Sequence, residues 1–160
     1  MIDSTIVRAH QHSAGAQKKH GPQAVGRSKG RLSTQIHALV DALGNPTGFH
    51  LTPGQACDLD GADVLIPQTH ADTVLADRGY DAYARVLEPL AETGKAAVIP
   101  PKRNRTEQRD YDRDLYKARH LIENFFEKLK HYRAIATRYD KLDVAFLSGI
   151  HLAAVLIWLN

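Results

Sequence analysis

Cys57 is the only cysteine in the 160-residue sequence. An internal disulfide and any cysteine-based zinc cluster are therefore excluded. Long apolar runs are also missing. The most apolar stretch, Val144 to Leu159, contains Ser148 and His151 and falls short of the roughly 20 residues that span a bilayer, so it reads as a core helix. No charged-then-apolar leader, internal repeat or low-complexity tract stands out, and a cytoplasmic protein is expected. No Ser-His-Asp arrangement is evident, and Ser4 should point to the other side of a strand from Asp3, which argues against a serine nucleophile.

What is present is ordinary globular material: 43% hydrophobic and 24% charged residues suit one domain over residues 1–160, built around one core. The net charge of +3 conceals an uneven distribution. Residues 8–31 carry six cations (Arg8, Lys18, Lys19, Arg27, Lys29, Arg31) and no acid, residues 101–141 add twelve cations against seven acids, and residues 58–95 hold eight acids against three cations. Two basic lobes around an acidic middle suit a polyanion held near a carboxylate cluster that binds metal.

Along the chain, 2–10 reads as a strand with a β-branched run, Thr5-Ile6-Val7. If Asp3 lies in mid-strand, much of the strand's N-terminal side is not encoded here. Residues 11–31 form a polar, basic loop. Residues 32–41 and 48–52 are the two arms of an antiparallel hairpin turned at Gly44-Asn45-Pro46. A helix follows over 58–68, capped by Asp58 or Asp60. A short strand, 73–76, runs into Asp77-Arg78-Gly79-Tyr80-Asp81, then a helix to about Thr93 with Asp81 as its cap, then a strand over 96–99. Residues 102–109 are a charged loop, Asp110 or Asp112 can cap a long helix over 112–133, and 142–159 is the last helix. A hairpin followed by right-handed crossovers gives an α/β fold, a mixed sheet with helices on its faces.

The long helix concentrates chemistry. Tyr116, Arg119, Glu123 and Lys130 fall at offsets that project within roughly 60° of one another, while Leu115, Ala118, Ile122, Phe125, Phe126 and Leu129 form a second stripe that can dock on a core. Arg119 and Glu123 equally make an ordinary i,i+4 pair, so this window alone leaves both readings open. Other candidates carry plainer readings. His10 and His12 have the spacing of a metal-ligand pair but no third ligand nearby, His37 and His151 read as core or interface histidines, and Trp158 as a core anchor.

Asp3-Ser4-Thr5 with Val7-Arg8-Ala9-His10, Ala76-Asp77-Arg78-Gly79-Tyr80-Asp81, and the Tyr116, Arg119, Glu123, Lys130 spacing together resemble the DDE transposases of bacterial insertion sequences. The resemblance is to the group with a Tyr-x2-Arg-x3-Glu-x6-Lys signature. Gly26-Arg27-Ser28-Lys29-Gly30, Ile36 to Asp41, Leu51 to Gln55 and Arg138 to Lys141 resemble that group too, so the likeness covers nearly the whole chain. It implies a ribonuclease-H-like fold with a five-stranded mixed sheet. It also implies Asp3, Asp77 and Glu123 as ligands of Mg²⁺ or Mn²⁺, two ions in all, and Tyr116, Arg119 and Lys130 as contacts to the DNA backbone. Arg27, Lys29 and Arg31 of the basic loop are further candidates for DNA binding. The reaction implied is water-driven nicking at transposon ends, then attack of the freed 3′-hydroxyl on target DNA. The N-terminal DNA-binding section usual in the group is missing here. The chain thus resembles the downstream product of a transposase gene split into two overlapping frames, expected to act as a fusion with the upstream product and as a homodimer on paired ends. Rival expectations are a catalytically inactive DNA-binding remnant and a free-standing metal-dependent nuclease of the same fold.

Overall fold

The computed structural model describes residues 1–15 and 21–159; Lys18 and Lys19 of the basic loop lie outside the described residues. Strand β1 (Ile2–Ala9) pairs antiparallel with β3 (Arg31–Val40), Asp3 facing Ala38 and Arg8 facing Ser33. Along the other edge of β3 lie β2 (Gly26–Ser28) and then β4 (Pro46–Pro53), both antiparallel. A two-residue strand, β7 (Thr137–Arg138), closes the sheet on the far edge of β1, in parallel. Asp3 is thus the second residue of β1 rather than a mid-strand one.

The expected strands at 73–76 and 96–99 exist as β5 (Thr73–Leu75) and β6 (Ala96–Val98), but they pair with each other in a separate two-stranded parallel sheet. Each has three residues, cut short by the turn at Asp77 and by Pro100-Pro101, which cannot continue a ladder. The five-stranded sheet is mixed as expected. Its membership differs: β2 and β7 take the places assigned to β5 and β6.

Strict alternation along β1 and β3 feeds two cores, one on each face. Val7, Ile36, Ala38 and Val40 meet Ile122, Phe125, Phe126 and Leu129 of α4 (His120–His131) together with Phe146, Ile150, Ala153 and Ala154 of α6 (Asp143–Leu159). On the opposite face Ile2 and Leu39 meet Ala62 and Leu65 of α1 (Asp58–Leu65), then Val74, Ala76 and Leu90. Each such fully buried aliphatic or phenyl side chain contributes about 1.5–3 kcal/mol relative to exposure. Arg138 is buried as well. Its guanidinium donates to Thr34 Oγ1 (2.9 Å) and to the Asp140 carbonyl (3.0 Å), and it lies over the Phe146 ring, tying β7 to β3.

Several helices depart in detail from expectation. The long helix is three consecutive pieces, α3 (Arg113–Tyr116), a 3-10 turn (Lys117–Arg119) and α4, with Asp112 as its cap, accepting from the amides of Asp114 and Leu115. The helix expected from Asp81 begins as a π-helical turn at Tyr83–Leu87 and continues as α2 (Glu88–Glu92), so Asp81 caps nothing. Its carboxylate, fully buried, accepts instead from Arg105, from Arg109 and from the amide of Lys102 (2.8–3.1 Å). His10 caps a short 3-10 turn, Gln11–Ala14, and its ring stacks on those of His12 and Tyr139, so this pair stands beyond the end of β1. Trp158 is 63% exposed and is no core anchor, and His151 is exposed with its ring edge-on to Phe49. Helix α6 is apolar all round, whereas the sheet has room for only one of its faces. A short helix, α5 (Arg133–Ala136), completes the set. Among the described residues no helix is long and apolar enough to cross a membrane.

His37 is buried as expected but only half satisfied. Its Nε2 meets Thr52 Oγ1 at 2.8 Å, while Nδ1 has no partner and lies against Gly61 of α1. Burial, assisted by the neighbouring His50, pushes its pKa down to about 4.

Candidate active site

Asp3 and Ser4 are adjacent on β1, so their side chains leave on opposite faces. On the α4 face, Asp3 Oδ2 accepts from Arg119 Nη2 at 2.7 Å, and the same nitrogen donates to Glu123 Oε1 at 2.9 Å. One guanidinium thus joins acids from β1 and α4. Arg119 Nη1 donates to the Tyr116 hydroxyl at 3.2 Å. The 3-10 turn between them contributes to this contact, since a three-residue repeat stacks i on i+3. Farther along, Lys130 Nζ donates to Thr5 Oγ1 at 2.5 Å, and burial lowers the pKa of Lys130. The four residues of the helical face therefore run along the first strand.

Asp77 follows β5 after a single residue, Ala76. Its Oδ1 accepts from the amide of Gly79 at 2.7 Å and so caps the turn Arg78–Tyr80, which fixes the carboxylate at the strand's exit. Its charge reaches Asp3. The Asp3 side chain is 14% exposed, and its pKa is raised, first by loss of solvent and also by Asp77, against the opposing pull of the Ser4 amide and Arg119. Asp3 and Glu123, far apart in number, are joined through Arg119, and Asp77 is near enough for its charge to act on Asp3.

Asp58, the first residue of α1, also belongs to this neighbourhood and was read from the sequence only as a possible cap. The capping is done by Asp60, whose carboxylate accepts from the Cys57 amide. Asp58 turns to the sheet, taking hydrogen bonds from Ser4 Oγ (2.5 Å) and Gln35 Nε2 (2.6 Å). Period-two alternation in β1 and β3 puts Ser4 and Gln35 on one face, but no local pattern shows which helix supplies their acceptor.

The basic candidates Arg27, Lys29 and Arg31 are exposed around the β2–β3 turn, where Lys29 and Gly30 take φ of +48° and +78°. Among the described residues none of the three joins an ion pair with the acids.

An all-carboxylate donor set suits a hard divalent cation such as Mg²⁺ or Mn²⁺. Among the described residues no group of three or more such side chains is placed to hold a metal ion, and Arg119 Nη2 stands between Asp3 and Glu123. The donor chemistry fits, and the charge that Asp77 brings to bear on Asp3 is what a cation would neutralise.

The raised pKa of Asp3 has a consequence for stability. An acid whose folded pKa lies above its unfolded value makes a contribution to stability that is fully present below the unfolded value and is lost as pH rises through the folded pKa. At pH 7 the Asp3 charge is therefore a cost. Asp3→Asn is expected to melt at a higher temperature than the unsubstituted protein at pH 7, the gain shrinking as pH falls toward 3.8, the ordinary carboxylate value. Calorimetry across this range checks it, and a lower melting temperature at pH 7 would mean that the Arg119 pair outweighs desolvation.

Comparison with known proteins adds an independent line. The family model described as the transposase DDE domain matches residues 1–158. A protein of Brucella ovis, named as a transposase for insertion sequence element IS6501, is 40% identical over 133 residues, which cover 81% of this chain and 100% of that protein. No solved structure matches the chain.

Proposed function

We propose, on the premise that this chain belongs to the transposase DDE domain family, that it carries out metal-dependent cleavage and strand transfer of DNA at the ends of an insertion sequence, in a ribonuclease-H-like arrangement. Transposases act on DNA, and DDE transposases use divalent metal ions. In this reading Asp3, Asp77 and Glu123 hold two Mg²⁺ or Mn²⁺ ions. Bound there, the ions would activate the attacking oxygen and stabilise the leaving one. In the first step an oxygen of water bonds to phosphorus as the bond from phosphorus to the 3′-oxygen breaks, leaving a 3′-hydroxyl. In the second, the oxygen of that hydroxyl bonds to a phosphorus of the target as the bond from that phosphorus to the target's own 3′-oxygen breaks, leaving a 3′-hydroxyl on the target strand.

The chain's own residues position and neutralise. Arg119, which pairs with Asp3 and Glu123, would turn its fork to a backbone phosphate once those acids hold metal; Lys130 offers a point charge, and Tyr116 orients the fork through its hydroxyl. Arg27, Lys29 and Arg31, exposed on a hairpin, extend the basic track along the duplex. In this reading a homodimer holds the paired ends, and the work is done in the cytoplasm. The observation that carries the reading is the Arg119 bridge: a residue of the helical signature grips Asp3, 116 positions away, together with Glu123.

The test incubates the purified chain with Mn²⁺ and DNA bearing the element's terminal inverted repeats. End-specific nicking is expected. Cutting without preference for the ends would favour a free-standing nuclease, and salt-sensitive binding without cutting an inactive remnant.

A further inference from the structure

Asp58 is held too firmly, and too close to another acid, for a residue at a helix start. Its Oδ1 accepts from Ser4 and Gln35, partners 54 and 23 positions away, which fixes the plane of the carboxylate. The other oxygen, Oδ2, is turned toward Asp77. Asp58 Oδ2 and Asp77 Oδ1 both lie within 3.2 Å of a single point, the place that a Cβ on Gly79 would take. Gly79 therefore keeps open a small space between two carboxylates. Like charges so placed repel unless a cation stands between them.

Two polar atoms among the neighbours of Asp58 and Asp77 are buried without a hydrogen bond of good geometry, although the Tyr80 hydroxyl has Ser4 near it. The Tyr80 hydroxyl belongs to a residue that is 0% exposed, and Gln35 Oε1 to one that is 3% exposed. Both amide hydrogens of Gln35 point at oxygens, Ser4 Oγ and Asp58 Oδ1, so reversing the amide would set oxygen against carboxylate and relieves nothing. Burial raises the pKa of Tyr80, and so do the charges of Asp58, Asp3 and Asp77, against the opposing pull of Ser4, so the phenol feels all three acids. A buried phenol in want of an acceptor and a buried amide oxygen in want of a donor are both served by water held on an ion.

We propose that Asp58 is a fourth carboxylate of the site, which with Asp77 holds a divalent cation whose bound waters meet the Tyr80 hydroxyl and Gln35 Oε1. This rests on the metal-dependent reading of Asp3, Asp77 and Glu123, and extends it to the face of β1 that Ser4 occupies.

The experiment titrates the full chain with Mn²⁺, following free ion by electron paramagnetic resonance and the melting temperature in parallel. Asp58→Asn keeps an oxygen for Ser4 and Gln35 but loses the charge, and Gly79→Ala puts a methyl group into the space. Each is expected to weaken Mn²⁺ binding by about tenfold to a hundredfold and to lose most of the Mn²⁺-induced rise in melting temperature. If both variants bind Mn²⁺ as the unsubstituted chain does, the proposal is wrong. Asp3→Asn and Glu123→Gln separate the two readings. Weaker binding in these two alone keeps the three-acid site and discards Asp58, whereas no change in any of the four discards both. Should Asp58→Asn fail to fold, Asp58→Ser decides, since it removes the carboxylate and leaves Asp77 untouched, whereas the Cβ of Gly79→Ala would also stand 2.9 Å from Asp77 Oδ1.

Discussion

Asp77→Asn is expected to slow end-specific nicking by about a thousandfold, equivalent to about 4 kcal/mol of transition-state stabilisation. The substitution is nearly isosteric. Asparagine Oδ1 can still accept from the Gly79 amide, the bond that shapes the turn after β5, so the backbone keeps its course and only the charge is removed. If Asp77 holds an ion, that charge is most of what it contributes. Single-turnover nicking in Mn²⁺, with the melting temperature as a control for folding, measures the loss. A rate within tenfold of the unsubstituted chain, in a protein that still melts normally, would take Asp77 out of the chemistry.

Gly61→Ala should destabilise the fold by about 3 kcal/mol through overpacking, against the roughly 1 kcal/mol gain that alanine gives over glycine in an open helix. A Cβ at residue 61 would stand 2.1 Å from His37 Nδ1 and 2.7 Å from His37 Cβ. These atoms belong to the root of a buried ring and cannot yield. Thr52 holds the far side of the ring through Nε2, so either α1 moves off the sheet or the ring does. Urea unfolding of Gly61→Ala gives the cost. Combined with His37→Ala, it should cost clearly less than the sum of the two single changes, because the clash is the shared term. Additive costs would mean that the helix and the ring do not press on each other.

What the sequence disclosed is what depends on neighbours in the chain. The hairpin of β3 and β4 came from alternation and a Gly-Asn-Pro turn. The face shared by Tyr116, Arg119, Glu123 and Lys130 came from helical spacing, and it survives the 3-10 turn because that turn still brings Tyr116 and Arg119 together. What it hid depends on which element meets which. Asp58 and Asp81 both stand where caps stand, and cap chemistry is a sufficient local account of either. Yet one bonds to Ser4 and Gln35 and the other to Arg105 and Arg109, partners no periodicity announces. Trp158 was misplaced for a related reason. A helix apolar on every side does not declare which side the sheet will cover.

The ladder between β1 and β3 makes Asp3 and Ser4 serve different faces of one strand, Asp3 opposite Ala38 and Ser4 opposite His37. Loss of a single codon between Ser4 and Arg8 would exchange their sides, sending the acid toward Asp58 and away from Arg119. Copies of such a gene that drift by in-frame deletion within this strand should thus fall silent at once, while point changes at its outward positions are borne.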